Sequence, residues 1–106
     1  MSRDFITFFD TMHDMVVVGT AEGRVLYANR AALEKLGYNL EELDRLGVLG
    51  MHPIEHRLAA ADIFAAMFRG ERDACPLPLQ AKDGHRIPVE TRISQGMWEA
   101  MPLTLR

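Results

Sequence analysis

Hydrophobic residues fall along this chain in short stretches of two different periods. Phe5, Phe8, Phe9 and Met12 recur at i, i+3, i+4 and i+7, one apolar stripe on an amphipathic helix over 1–13 with Asp4, Thr7 and Asp10 outside it. Met15 to Val18 is a β-branched run that stops at Gly19, and Arg24 to Ala28 is a second run. Glu22-Gly23 supplies turn chemistry between them, so the pattern predicts a hairpin. Asn29 stands at an N-cap position ahead of Ala31, Ala32, Leu33 and Leu36, with Gly37 as the stop of a short helix. Asn39 and Glu42 have capping-box spacing and open another, which carries Leu40, Leu43 and Leu46 and ends loosely at Gly47 and Gly50. After His52-Pro53, residues Glu55 to Arg69 form the longest helical pattern, with Ala61, Phe64 and Phe68 at helical spacing, Met67 beside them and Gly70 beyond.

The period of two then takes over. Cys75, Leu77 and Leu79 alternate with Pro76 and Pro78, which cannot donate to a ladder, so this strand belongs at an edge or is irregular. Lys82-Asp83-Gly84-His85 predicts a tight turn, and Ile87, Val89, Thr91 and Ile93 alternate with Pro88, Glu90, Arg92 and Ser94 along one long strand. Gly96 to Ala100 reads as a turn around Trp98. Met101 to Arg106 reads as the start of a last strand that the sequence leaves unfinished. Segregated strand pairs and helices predict an α+β fold with helices on one face of an antiparallel sheet. A chain of 106 residues has room for one core. The expected organisation is an N-terminal helix over 1–13 and a single domain over 14–106 with a truncated last strand.

Composition removes several classes of function. A 48% hydrophobic and 25% charged chain is an ordinary globular one. Its net charge of -3 and scattered Lys and Arg offer no basic field, so nucleic acid is not an expected partner. No uninterrupted apolar run approaches the ~20 residues of a membrane span, so direct membrane contact is not expected either. The lone Cys75 has no partner for an internal disulfide, which suits the reducing cytoplasm.

Three segments, in order, resemble the PAS domain family. They are Tyr27-Ala28-Asn29-Arg30-Ala31-Ala32 with Leu36-Gly37-Tyr38 and Glu41-Glu42-Leu43, then Met51-His52-Pro53 before the long helix, then Lys82-Asp83-Gly84-His85-Arg86-Ile87-Pro88-Val89-Glu90. The resemblance implies a five-stranded antiparallel sheet cupping helices around a small cavity. It also implies a sensory or dimerising role inside a larger regulator, such as a sensor histidine kinase or a cyclic-dinucleotide enzyme.

Enzyme-like chemistry finds little support. His52-Pro53-Ile54-Glu55-His56 matches the H-x-x-E-H pattern of inverted zinc peptidases, but Pro53 belongs in a first helical turn, which leaves His52 at the cap and His56 in solvent. No metal site and no enzyme activity are expected. Haem-binding relatives ligate iron from the middle of the long helix, where this chain has Ala59 and Ala60, with His56 a turn earlier. Flavin-binding photosensors need a cysteine on a helix, whereas Cys75 lies among prolines in a strand and reads as a small core residue. Haem and covalent flavin are therefore not expected as cofactors.

The candidate ligand pocket is Tyr27, Phe64, Met67, Leu79, Thr91 and Trp98. Thr91 stands out as the polar member of an apolar strand face, either donating into a cavity or satisfying a neighbouring group. Phe5, Phe8, Phe9 and Met12 are the candidate dimer interface, since such a stripe packs on its own sheet or across a homodimer. The expected function is a sensory module that binds a small ligand or relays a signal through dimer geometry to an effector domain of its parent protein. The alternatives are a ligand-free dimerisation module and a haem gas sensor.

Overall fold

The computed structural model describes residues 14–94 and 97–102. Strand β1 (Met15–Gly19) and strand β2 (Val25–Ala28) form the predicted hairpin, with Val17 opposite Ala28 and Val18 opposite Tyr27. The register shifts between Val18 and Gly19, a bulge that inserts one extra residue into β2.

Helix α1 (Arg30–Leu36) begins at Asn29, whose side chain accepts from the Ala32 amide, and ends at Gly37 in the left-handed conformation. Helix α2 (Leu40–Gly50) begins with the predicted capping box: Asn39 Oδ1 accepts from the Glu42 amide at 2.8 Å and Glu42 Oε1 accepts from the Asn39 amide at 3.0 Å. It breaks at Gly47, where φ is 72° and a Cβ would lie 3.1 Å from the Gly23 carbonyl. The next amide, Val48, donates to that carbonyl at 2.8 Å, so the break pins the end of α2 to the β1–β2 turn. A 3-10 turn over Ile54–His56 leads into the long helix α3 (Arg57–Phe68).

The late strands are β3 (Leu79–Gln80), β4 (Arg86–Ile87), β5 (Val89–Ser94) and β6 (Met97–Pro102). The main sheet runs β2-β1-β6-β5, all antiparallel, and β3 pairs with β4 as a separate two-stranded ribbon. Two expectations are corrected here. The long strand predicted from Ile87 to Ile93 is divided at Pro88, and the five-stranded sheet is four strands plus a broken edge. The edge keeps one register throughout: Leu79 faces Ile87, Gln80 faces Arg86, and Cys75 faces Thr91, exchanging two backbone bonds of 2.9 Å. Counting along that register places Pro76 and Pro78 at the positions whose amides point away from the partner, where proline costs least.

A further correction concerns Trp98, which lies in β6 and not in a turn. The last strand starts at Met97, and Trp98 and Ala100 are buried while Met97, Glu99 and Met101 are only half-buried. Trp98 faces Val17 on one side and Ile93 on the other, and Ala100 faces Met15 and Thr91. The inner sheet face therefore carries Met15, Val17, Thr91, Trp98 and Ala100. Against it pack Ala32, Leu36, Leu43, Ala60 and Phe64 of the three helices. Residues 1–13, with the predicted helix and its Phe5, Phe8, Phe9 and Met12 stripe, lie outside the described residues, as do residues 103–106.

Candidate ligand-binding site

Between the inner sheet face and the end of α2 lies a small, largely enclosed cavity. Its sheet wall is Met15, Val17, Leu79, Thr91, Trp98 and Ala100, and its helical wall is Val48, Met51 and His52. The space open to the centre of a water molecule is about 20 Å³, against the ~10–15 Å³ that one water needs.

His52 enters this wall because the chain turns back after Gly47. Its ring is buried, and Nδ1 lies 3.0 Å from the Val48 carbonyl and 3.3 Å from the Leu49 carbonyl. Carbonyls only accept, so Nδ1 carries the proton and closes the last turn of α2. Arg57 fixes the same corner, donating from Nε to the His52 carbonyl at 3.2 Å and from Nη2 to the Gly50 carbonyl at 3.3 Å. Nε2 of His52 is then left as a bare acceptor, buried with no hydrogen-bond partner. Thr91 lines the same cavity, and its Oγ1 is buried without a partner as well.

Burial holds the His52 pKa below the usual 6.5 of imidazole; bonds to Val48 and Leu49 oppose the shift, and the charges of Arg57 and His56 add to it. The neutral ring is thus the native form. Because the unfolded chain binds the proton more readily, stability is full above 6.5 and declines as pH falls from there toward the folded pKa. The protein should therefore lose stability relative to its His52→Phe variant on acidification, by up to about 1.4 kcal/mol per pH unit. Urea titrations at pH 7 and pH 5.5 measure it, and a difference independent of pH would show that His52 titrates normally.

A second, half-open space adjoins the cavity. This groove, about 190 Å³, runs between α3 and the β1–β2 turn and is lined by Leu49, Ala61, Ala65 and Phe68, with Val48 and Trp98 shared between groove and cavity. Trp98 is held edge-on to Phe64, centroids 4.7 Å apart at 90°, and to Phe68 at 5.6 Å and 79°. His52 meets the same Phe64 at 5.4 Å. Gly19 backs Trp98 from the strand side, where a Cβ would come 3.1 Å from the indole Nε1 and 2.6 Å from the Arg24 carbonyl.

The β2-β1-β6-β5 sheet with three helices on one face and a cavity between them accords with the outcome of comparison with known proteins. A family model for the PAS domain matches residues 3–71. The chain belongs to the PAS domain family. The crystal structure of a PAS domain from Desulfitobacterium hafniense is similar at 34% identity over 92% of this chain and 99% of that one, with a TM-score of 0.81. A domain of a sensory box sensor histidine kinase/response regulator from Geobacter sulfurreducens shares the fold at 21% identity, over 92% of this chain and 90% of that one, TM-score 0.71. So does the PAS domain of the Cronobacter turicensis RpfR quorum-sensing receptor in complex with BDSF, at 14% identity over 88% of this chain and 96% of that one, TM-score 0.69. No protein of curated function matches the chain.

Within this PAS domain, four of the six pocket residues predicted from sequence come together. Leu79, Thr91 and Trp98 line the cavity, and Phe64 joins Trp98 in the groove. Two do not. Tyr27 lies opposite Val18, on the outer face of the sheet, and lines a separate surface groove with Leu33 and Leu40. Met67 is half-buried against the core but belongs to neither wall. The residue sequence reasoning missed is His52, expected at a helix cap and found buried in the cavity wall. The rest of its motif diverges: His56 is half-buried at the end of the 3-10 turn, and Glu55 is exposed and paired with Arg86. Among the described residues no group of His, Cys, Asp or Glu could hold a metal ion. Cys75 is fully buried, and desolvation raises its thiol pKa.

Proposed function

We propose that this PAS domain is the sensory part of a larger signal-transduction protein, that it binds a small organic molecule beside Trp98, and that it passes the event to an effector domain without chemistry of its own. One observation carries the reading. Two buried polar atoms, Nε2 of His52 and Oγ1 of Thr91, have no partner, on residues that line an otherwise apolar cavity. Each orphaned group costs roughly 1–3 kcal/mol, a large part of the 5–15 kcal/mol that stabilises a domain of this size. A fold selected for stability alone would fill both positions with apolar residues. A ligand that bonds to them and leaves again gives a reason to keep them. Binding would act by favouring one arrangement of β6, α3 and their connections over another. PAS relatives that serve as sensors, a quorum-sensing receptor among them, are consistent with such a role.

The second reading is a ligand-free interaction and dimerisation module, favoured by the 20 Å³ size of the enclosed cavity. Thr91→Val separates the two. On the sensory reading the variant gains about 1 kcal/mol in urea unfolding, since a buried hydroxyl without a partner is removed. It also loses whatever small molecule native mass spectrometry finds on the purified protein. A variant less stable than the parent, with no bound mass on either, would favour the ligand-free module.

A further inference from the structure

We infer that the site selects an uncharged molecule whose head group donates a hydrogen bond to Nε2 of His52. The inference rests on the ligand-binding reading above and adds what the ligand must look like.

Both hydrogen-bonding faces of the imidazole are assigned by its surroundings. Nδ1 is committed to the Val48 and Leu49 carbonyls, which fixes the hydrogen there and leaves Nε2 able only to accept. A head group that merely accepts, such as a ketone or an ether, leaves this nitrogen orphaned. A carboxylate fares worse, since it accepts only and brings an unpaired charge into an apolar wall. Protonating His52 to receive it is opposed by burial and by the neighbouring charges of Arg57 and His56. An alcohol, phenol, amide or N–H heterocycle meets the requirement. Thr91 Oγ1 can donate or accept, so it completes the bonding of a hydroxyl without imposing a charge.

Volume assigns the remainder of the molecule. The small cavity admits only a head group, while the adjoining groove of about 190 Å³ is larger than the ~150 Å³ apolar cavity that accepts benzene. Its walls are apolar side chains of α3 with Val48, Leu49 and Trp98 on one side, and Ala21, Glu22 and Gly23 of the β1–β2 turn on the other. The ligand is then an apolar body of about one ring lying in the groove, with a neutral donor passing Trp98 into the cavity.

Matched six-carbon probes test this on the full chain. Cyclohexanol, cyclohexanone and cyclohexanecarboxylate have nearly the same body and differ in the head group. Trp98 is the single tryptophan, so its fluorescence reports binding. Cyclohexanol should bind at least about tenfold tighter than either of the others. His52→Phe should remove the advantage over the ketone, whereas Thr91→Val should weaken alcohol and ketone together and leave their ratio. The ratio within the unaltered protein decides the matter even where a variant folds poorly. Equal binding of alcohol and ketone, or tighter binding of the carboxylate, would overturn the inference and leave the ligand-binding reading standing. No response of Trp98 to any of the three would overturn both.

Discussion

Asn29→Ala is expected to lower the unfolding free energy by about 3 kcal/mol, three times the usual loss of a helix cap. The side chain is fully buried and does two jobs beyond capping. Oδ1 accepts from the Ala32 amide at 3.0 Å and also from the Val16 amide of β1 at 2.9 Å, while Nδ2 donates to the Asp14 carbonyl at 2.8 Å. Its own amide donates to the Val16 carbonyl at 2.9 Å, so the start of α1 is laced to the first strand. Alanine would remove a cap worth about 1 kcal/mol and strand the buried Val16 amide at a further 1–3 kcal/mol. Asn29→Ser keeps the cap but is too short to reach β1, and should recover only about 1 kcal/mol of the loss. Urea unfolding followed through Trp98 fluorescence measures both variants. A cost for alanine below about 1 kcal/mol would reduce Asn29 to an ordinary cap.

Asn29 also shows what kind of information the sequence carries. Its capping role is a relation between residues three apart, as is that of Asn39 with Glu42, and both were legible because the physics is local. Its bonds to β1 span more than a dozen residues and leave no periodic trace. Thr91 was legible for a related reason: strict alternation along β5 put a hydroxyl on an apolar face. Tyr27 was misplaced because the bulge opposite Val18 shifts the faces of β2, so that Val25 and Ala28 point inward and Tyr27 outward. Trp98 was assigned to a turn because Met97 and Met101 flank Glu99 on the outer face of β6, which blurs the alternation that marks a strand. His52 was the costliest miss. Its burial follows from the break at Gly47 and the bond of Val48 to Gly23, a contact between α2 and the first hairpin that no spacing within 47–56 reveals.

Trp98→Ala is expected to have the largest effect of all, a loss of about 4 kcal/mol, together with a new ability to bind indole. Trp98 is 5% exposed and its ring is shared by cavity and groove, edge-on to Phe64 and Phe68. Truncation removes the dividing wall, merging spaces of about 20 and 190 Å³ and bringing water to the unpaired atoms of His52 and Thr91. Trp98→Phe keeps an aromatic edge against Phe64 and should cost less than half as much. Added indole replaces the missing ring; at a hundred times its dissociation constant, it should restore about 2.7 kcal/mol to the alanine variant. The parent protein, whose own ring fills that space, should gain much less. Circular dichroism melts with and without indole measure this, since the fluorescent residue is gone. If the variant is largely unfolded alone, indole should bring back the helical signal. Equal stabilisation of parent and variant would mean that Trp98 does not separate the two spaces. Selective rescue would establish that the Trp98 ring is what separates the groove from the cavity beside His52.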